Sequence, residues 1–345
     1  MKHFVSNFFK LTLFIFTCAT ACASSPYPQS DHYDGEKFFQ PGAAPARGFL
    51  DLLKWQLSGD KKEWPTFREN TAKPNLVNEV DSNALNVTFI NHATFLIQAT
   101  GLNILTDPIF SQRASPVQWA GPKRARSPGL NLENLPRIDL VVISHNHYDH
   151  MDKISIEELQ KKFAPLFIVP LGDAKVLKKF GVTNVIELDW WQTHAVPNTD
   201  LAVTFTRVQH WSSRTPFDRN ESLWGGYVFK NKKFSVYFGG DTGYGSHFKE
   251  TSEKLGPFDL SLIPIGAYEP RWFMKEQHMN PEEAVQAHLD LKSKLSLGCH
   301  FGTFQLADEG IDDPVNDLEK AKKKLNVKAE DFVSPDNGQS FMIKL

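Results

Sequence analysis

Cysteine is almost missing from this chain. Of three in 345 residues, Cys18 and Cys22 fall within the first 23, which leaves Cys299 alone in the body. A single thiol cannot close an internal disulfide, so stability must come from a hydrophobic core rather than a disulfide framework, even in an oxidising compartment. Charge of one sign is equally scarce. The 38 Lys and Arg stand against 40 Asp and Glu, a net charge of -2, which argues against a broadly basic nucleic-acid surface. A long apolar run is also lacking: Leu11 to Ala19 is far shorter than the ~20 residues a spanning helix needs. No internal repeat or low-complexity block occurs. What remains is an ordinary composition, 41% hydrophobic and 23% charged, with ample material for a large core.

The first 23 residues read as an export signal. Lys2 and Lys10 flank the start, the Leu11–Ala19 run follows, and small residues close it: Ala19-Thr20-Ala21-Cys22-Ala23-Ser24. Two processing readings stand beside the blander one of a disordered, uncleaved N-terminus. Cys22 is the lipid-bearing residue of a bacterial lipoprotein signal, with Ala19 where leucine is usual, or ordinary cleavage follows Ala21 or Ala23. Either places the protein in the bacterial cell envelope, as a membrane-anchored lipoprotein or a periplasmic protein. Residues 24–84 read as a tether and N-terminal helical extension. Positions 24–47 are rich in Pro, Ser, Gly and Ala, and Gly48 to Gly59 carries Phe49, Leu50, Leu52, Leu53, Trp55 and Leu57. That apolar helix either docks on the main domain or faces a membrane.

Residues 85–345 form the main domain. Asn86 to Thr100 reads as two strands around Asn91-His92, and Leu102 to Thr106 as a third. A Pro-rich loop fills 111–137. Apolar runs at 138–143, 166–169, 201–208, 234–238, 259–265 and 295–299 then alternate with helices at 153–163, 173–180 and 281–292. The last helix has Asn280 as cap, Pro281 in its first turn and Glu283 three residues after the cap. The alternation indicates an α/β fold with helix-covered sheets.

His145-Asn146-His147-Tyr148-Asp149-His150 follows the buried-strand pattern Ile138 to Ile143. Three imidazoles and a carboxylate within six residues are too polar for ordinary core, since each buried ring needs a partner. On a turn leaving a strand they can converge on cations suited to nitrogen and oxygen ligands, such as zinc, manganese or iron. Three more apolar strands end the same way: 201–208 before Gln209-His210-Trp211, 234–238 before Gly239-Gly240-Asp241-Thr242, and 295–299 before His300. Strand ends are where α/β folds place their ligands.

His-x-His-x-Asp-His followed by a distant His, Asp and His resembles the signature of the metallo-β-lactamase superfamily, over residues 85 to 345. The resemblance implies an αββα four-layer sandwich with the site at one edge of the sheets. It also implies a ligand set: His145, His147 and His210 for one metal, Asp149, His150 and His300 for the other, and Asp241 bridging. Two divalent ions, Zn2+ by this resemblance, are the implied cofactor. A narrower similarity lies in 145–152 (HNHYDHMD), Gly240 to Tyr244, Ile265 to Met274 (IGAYEPRWFM), Gln277-His278 through Ala284, and His300 to Phe304. These resemble the N-acylphosphatidylethanolamine-hydrolysing phospholipase D family. Asn146 stands where that family often has aspartate, and Phe301 where it more often has tryptophan.

The resemblance implies a zinc-dependent phosphoric diester hydrolase that converts N-acylphosphatidylethanolamine to N-acylethanolamine and phosphatidic acid. Paired cations would make water acidic enough to attack phosphorus and would stabilise charge on the phosphoryl oxygens, so no protein nucleophile is needed. Asp241, Asp149 and His278 are the residues expected to carry catalysis, and Tyr148, Arg214, Gln277 and His278 those expected to contact substrate. Asp107 is placed to orient a ligand histidine and His92 is a turn or supporting residue. His194, His247 and His288 carry no argued role, and Cys299 is a buried small residue. The expected partners are a phospholipid and a membrane surface, with no nucleic acid and room for a homodimer. The alternative is a hydrolase of the same fold acting on a lactone or a small phosphodiester. A non-catalytic metal-binding lipoprotein fits poorly, because structural zinc sites are closed four-coordinate units.

Overall fold

The computed structural model describes residues 27–42, 47–59, 61–77, 80, 81 and 83–345. The export signal and Cys22 lie outside them. Two seven-stranded mixed sheets dominate the chain. The first takes, in spatial order, Ser340–Lys344, Ala84–Asn91, Thr94–Ala99, Leu102–Thr106, Leu140–Val142, Leu166–Pro170 and Val185–Leu188. The second takes Phe332–Val333, Ser293–Cys299, Phe258–Pro264, Ser235–Phe238, Gly226–Lys230, Ala202–Thr206 and Thr193–Ala195. Each sheet has an antiparallel half built of hairpins and a parallel half built of crossovers.

Period-2 side-chain alternation sorts the apolar residues into layers. Leu140, Val142 and Ile168 join the large core with Val203, Phe205, Phe229 and Phe238 of the other sheet. Their neighbours Val141, Ile143, Phe167 and Val169 face the other way and pack with Ile156 and Leu159 of the Lys153–Phe163 helix and Leu177 of Ala174–Lys179. The helices Pro281–Leu291 and Asp313–Leu325 pack through Ala284, Val285, Leu291 and Leu318. Helix, sheet, sheet, helix is the αββα sandwich that the motifs imply.

The start of the Pro281–Leu291 helix is as the sequence indicates. Asn280 accepts from the Glu283 N–H at 2.9 Å, and the Glu283 carboxylate accepts from the Asn280 N–H at 3.0 Å. Gly226–Lys230 was not among the expected strands, and it begins at the Gly225-Gly226 pair. Packing requires those glycines: a Cβ on Gly225 would stand 2.4 Å from the Phe205 ring, and one on Gly226 2.6 Å from the Phe238 carbonyl.

The parallel strands, and Ala202–Thr206 through two antiparallel steps, all run in one direction within their sheets, so their C-terminal ends share an edge. Every element of the His/Asp constellation leaves from such an end.

Phe95 is fully buried between the sheets, its ring 5.0 Å from that of Phe89. Phe95→Ala should cost about 3–5 kcal/mol of unfolding free energy in urea titration. A loss under about 1 kcal/mol would contradict the packing described.

Candidate functional site

Two groups of donor atoms converge at the shared edge. In the first, His147 Nδ1 lies 2.8 Å from His145 Nε2 and 3.3 Å from His210 Nε2. In the second, Asp149 Oδ2 lies 3.2 Å from both His150 Nε2 and His300 Nε2. Asp241 Oδ2 faces both groups. It stands 3.1 and 3.0 Å from His150 and His300, and 4.0 and 3.9 Å from His145 and His210. The four strand ends named by the sequence thus meet at one point.

The donor set fits cations. Ligands ~2.0 Å from a tetrahedral zinc stand ~3.3 Å apart, close to the spacing within each group. Burial, and then the neighbouring imidazoles, hold His145 and His210 well below the usual histidine pKa, and burial brings His147 down to about 4. The three rings are therefore neutral at pH 7, the form in which imidazole binds metal. Asp149 and Asp241 resist the upward push of burial and stay well below the carboxylate range because of His150 and, for Asp241, His300. Burial would lower His300, but the Asp241 carboxylate lifts it to about 9. Asp241 Oδ1 is buried with no hydrogen-bond partner, a costly state for a carboxylate oxygen unless a cation takes it.

A polar frame orients these groups. Asp107 Oδ2 accepts from His150 Nδ1 at 2.6 Å and from the Ser144 hydroxyl at 2.6 Å, and Oδ1 accepts from the Ser144 N–H at 2.7 Å. The Ser144 hydroxyl lies 2.9 Å from His145 Nδ1. One carboxylate therefore sets two histidines, as its place after Leu102–Thr106 suggests. His92 supports the other side. Its Nε2 is 2.9 Å from Asp149 Oδ2, and its carbonyl accepts from the His300 N–H at 2.7 Å. His92, Asp107 and His300 have φ of 50°, 34° and 60°, a sparsely populated region for non-glycine residues that tends to persist at functional sites. Gly240, at φ 56°, admits close approach, since a Cβ there would stand 2.5 Å from the Ser144 Cβ.

A cleft of about 410 Å³ opens over both groups. His147, Asp149, Asp241 and His300 are at its polar end, with Gln277 and His278 beside them, and Leu52, Trp55, Phe273, Met274 and Leu306 form apolar wall. His278 Nδ1 is 3.9 Å from Asp241 Oδ2, and burial takes its pKa down to about 4. The run Ile265 to Met274 braces this wall. Arg271 donates to the His278 carbonyl at 2.9 Å and to Glu283 at 2.7 Å, and Glu309 accepts the Ala267 and Glu269 N–H groups at 2.6 and 3.1 Å.

Two residues expected to contact substrate are engaged elsewhere. The Tyr148 hydroxyl donates to the Arg214 carbonyl at 2.6 Å, and the Arg214 guanidinium lies 4.2 Å over the Tyr148 ring. Arg214 Nη1 donates to the carbonyls of Asn146 and Met151, at 2.8 and 2.9 Å. Neither lines the cleft; together they brace the ligand loop from behind, because buried loop carbonyls need donors. Asn146 likewise turns away, to Asp173 at 3.0 Å. His247 contacts Thr242 at 3.1 Å and His288 contacts Ser296 at 2.8 Å, His194 sits within an outer strand pair, and Cys299 is fully buried. Sequence reasoning missed Arg219, Trp211 and the N-terminal helix as cleft residues. Trp211, directly after His210, carried a positional signal; Arg219 carried none.

Residues 102–301 match the family described as the beta-lactamase superfamily domain. The chain is 38% identical over 265 residues to the N-acyl-phosphatidylethanolamine-hydrolyzing phospholipase D 1 of Caenorhabditis elegans, covering 73% of this chain and 74% of that one. It is 38% identical over 224 residues to the mitochondrial N-acyl-phosphatidylethanolamine-hydrolyzing phospholipase D of Saccharomyces cerevisiae, covering 64% and 48%. Among solved structures, the metallo hydrolase Igni18 of Ignicoccus hospitalis superposes with a TM-score of 0.58 at 19% identity, over 76% of this chain and 99% of that one.

The donor geometry generates a metal test. Elemental analysis of the active protein should give close to two divalent ions, and Asp241→Asn should lose both. Asp107→Asn should weaken metal affinity about 10- to 100-fold without unfolding the chain. One ion or none in fully active protein would remove the paired site.

Proposed function

The chain belongs to the metallo-β-lactamase superfamily, and from that premise we propose that it is a phospholipase D that cleaves N-acylphosphatidylethanolamine to N-acylethanolamine and phosphatidic acid. The observation that carries this reading is the two-sided cleft. Its polar end gathers the His/Asp groups, while Leu52, Trp55, Phe273, Met274 and Leu306 make the rest apolar. A pocket so divided suits an amphiphile whose charged linkage and acyl chains sit in different surroundings. The two phospholipase D relatives support the same substrate.

His145, His147 and His210 would hold one divalent ion, Asp149, His150 and His300 the other, and Asp241 would touch both. Such ions supply Lewis acidity, which makes water nucleophilic near neutral pH and neutralises charge on phosphoryl oxygens. The water oxygen joins phosphorus, the P–O bond on the ethanolamine side breaks, and the departing oxygen takes up a proton. Asp107 and His92 keep the donor atoms aimed throughout. His278, neutral and without a hydrogen-bond partner at Nδ1, stands beside Asp241 to hydrogen-bond the substrate or its leaving oxygen. Gln277 is committed in part, its side chain accepting from Trp211 at 2.8 Å and its carbonyl meeting His210 Nδ1 at 3.1 Å. It therefore shapes the wall more than it grips substrate.

The same reading puts the protein at a lipid surface of the bacterial envelope. Trp55 docks the Phe49–Gln56 helix beside the cleft, donating to Asp308 at 2.8 Å and stacking on Phe273 at 4.9 Å. Leu50 and Leu57 remain 78% and 75% exposed, and Trp272 nearby is partly exposed. Those side chains, next to a lipid-sized cleft, would meet a membrane interface, with Cys22 as the lipid anchor.

Hydrolysis in oxygen-18 water should put the label in phosphatidic acid and leave the N-acylethanolamine unlabelled. His278→Ala should lower turnover about ten- to a hundredfold, or 1.4 to 2.7 kcal/mol, with both metals retained. A metal-loaded enzyme that ignores N-acylated phospholipids yet opens lactones or cleaves a small phosphodiester would sink the substrate and leave the metal site standing.

For the anchor, Cys22→Ser should abolish fatty-acid labelling and release the protein from membranes. Unlabelled wild-type protein, free in the periplasm, would favour ordinary cleavage.

A further inference from the structure

Arg219 and Trp211 line the cleft over His147, Asp149 and Asp241, yet neither belongs to the donor groups. The Arg219 guanidinium carbon lies 3.9 Å from the centroid of the Trp211 ring. That indole is fixed in turn: its Nε1–H donates to Gln277 at 2.8 Å, and its ring meets His147 edge to face at 4.3 Å. A cation is thus held two ring contacts away from a metal-donor histidine.

Arg219 has no counter-ion among the described residues. The adjacent Asp218 carboxylate accepts from the Ser213 hydroxyl and from the N–H groups of Arg214 and Thr215. Glu221 pairs with Lys175. Arg126, Arg207 and Arg271, also partly buried, each hold a carboxylate. Burial alone lowers the Arg219 pKa, with nothing opposing it. Stacking on an indole holds the plane of a guanidinium but leaves its N–H edge unsatisfied. That edge matches the paired oxygens of a phosphate or phosphodiester.

We propose that Arg219, stacked on Trp211, is an anion-binding residue of the cleft, which Arg47 also lines, and gives it a preference for phosphate-class oxyanions over uncharged substrates. The identity of the anion rests on the phospholipase reading: it is the diester of the substrate or the phosphate monoester of the product.

The test compares wild type, Arg219→Gln and Arg219→Lys as full-length, metal-loaded protein. Binding of inorganic phosphate and of dihexanoyl phosphatidic acid is read by calorimetry. Arg219→Gln should weaken phosphatidic acid at least tenfold at unchanged metal content. Arg219→Lys should recover only part, because an ammonium keeps the charge without the planar fork. Equal weakening of inorganic phosphate assigns the contact to the phosphate group itself; weakening confined to phosphatidic acid assigns it to the lipid headgroup. On a soluble short-chain N-acylated phosphatidylethanolamine, the loss should appear in KM while kcat changes little. Arg219→Gln protein that binds both ligands as wild type does, with metals in place, overturns the proposal. If wild type binds phosphatidic acid through Arg219 but cleaves no N-acylated phospholipid, the anion site stands and the proposed substrate falls.

Discussion

The Asp241 carboxylate is the point on which the rest of the site depends. It is 3% exposed and faces four imidazole nitrogens from three other strand ends within 4.0 Å. Burying an unpaired carboxylate is expensive by several kcal/mol. The charge is tolerable because protons on His150 and His300, or cations in their place, balance it. The strand-end arrangement follows from that requirement. Donors from both sheets must arrive within about 3 Å of one another, which demands parallel strands ending at a common edge and glycines where backbones touch. Gly240 meets Ser144, and a Cβ on Gly266 would lie 2.2 Å from the His300 carbonyl.

Aim is a separate matter from convergence. Imidazoles and carboxylates rotate freely unless their far atoms are tied, and metal sites lose affinity when they do. Here the ties are shared. Asp107 serves His150 directly and His145 through Ser144, while His92 serves Asp149 by its ring and His300 by its carbonyl. The strained φ values of His92, Asp107 and His300 lie within this frame, where dense bonding can hold them. Tyr148 and Arg214 do similar work behind the ligand loop, which gives a polar role to residues that looked like substrate contacts.

The cleft walls come from segments with no metal chemistry. The Phe49–Gln56 helix, the Ile265–Met274 run and the loop carrying Arg219 each supply one side. The first lies outside the matched family segment of residues 102–301. The donor groups decide that hydrolysis can happen, and the walls decide on what. An apolar wall stands beside a stacked guanidinium that has no counter-ion among the described residues.

The converging His/Asp cluster was legible in the sequence because its residue types have no ordinary reason to follow apolar strands. Imidazoles and carboxylates at four strand ends signal cations whatever the three-dimensional arrangement, and the Asn280 capping box was equally local. The αββα class followed from motif resemblance and strand–helix alternation. Strand Gly226–Lys230 was not legible, since glycine permits both a turn and a close approach, and only the neighbouring Phe205 ring tells them apart. Nor could sequence decide which way Tyr148 and Arg214 point: a side chain's direction depends on partners from distant segments, here loop carbonyls at 146, 151 and 214. Arg219 is the sharpest case. Its chemistry is common to every arginine in the chain, and its distinction lies in what surrounds it: an indole beneath, an open cleft ahead, and neighbouring carboxylates already committed elsewhere. Sequence determined which atoms could bind a cation. Tertiary structure decided which groups remained unpaired in the cleft, because pairing is settled between residues far apart in the chain.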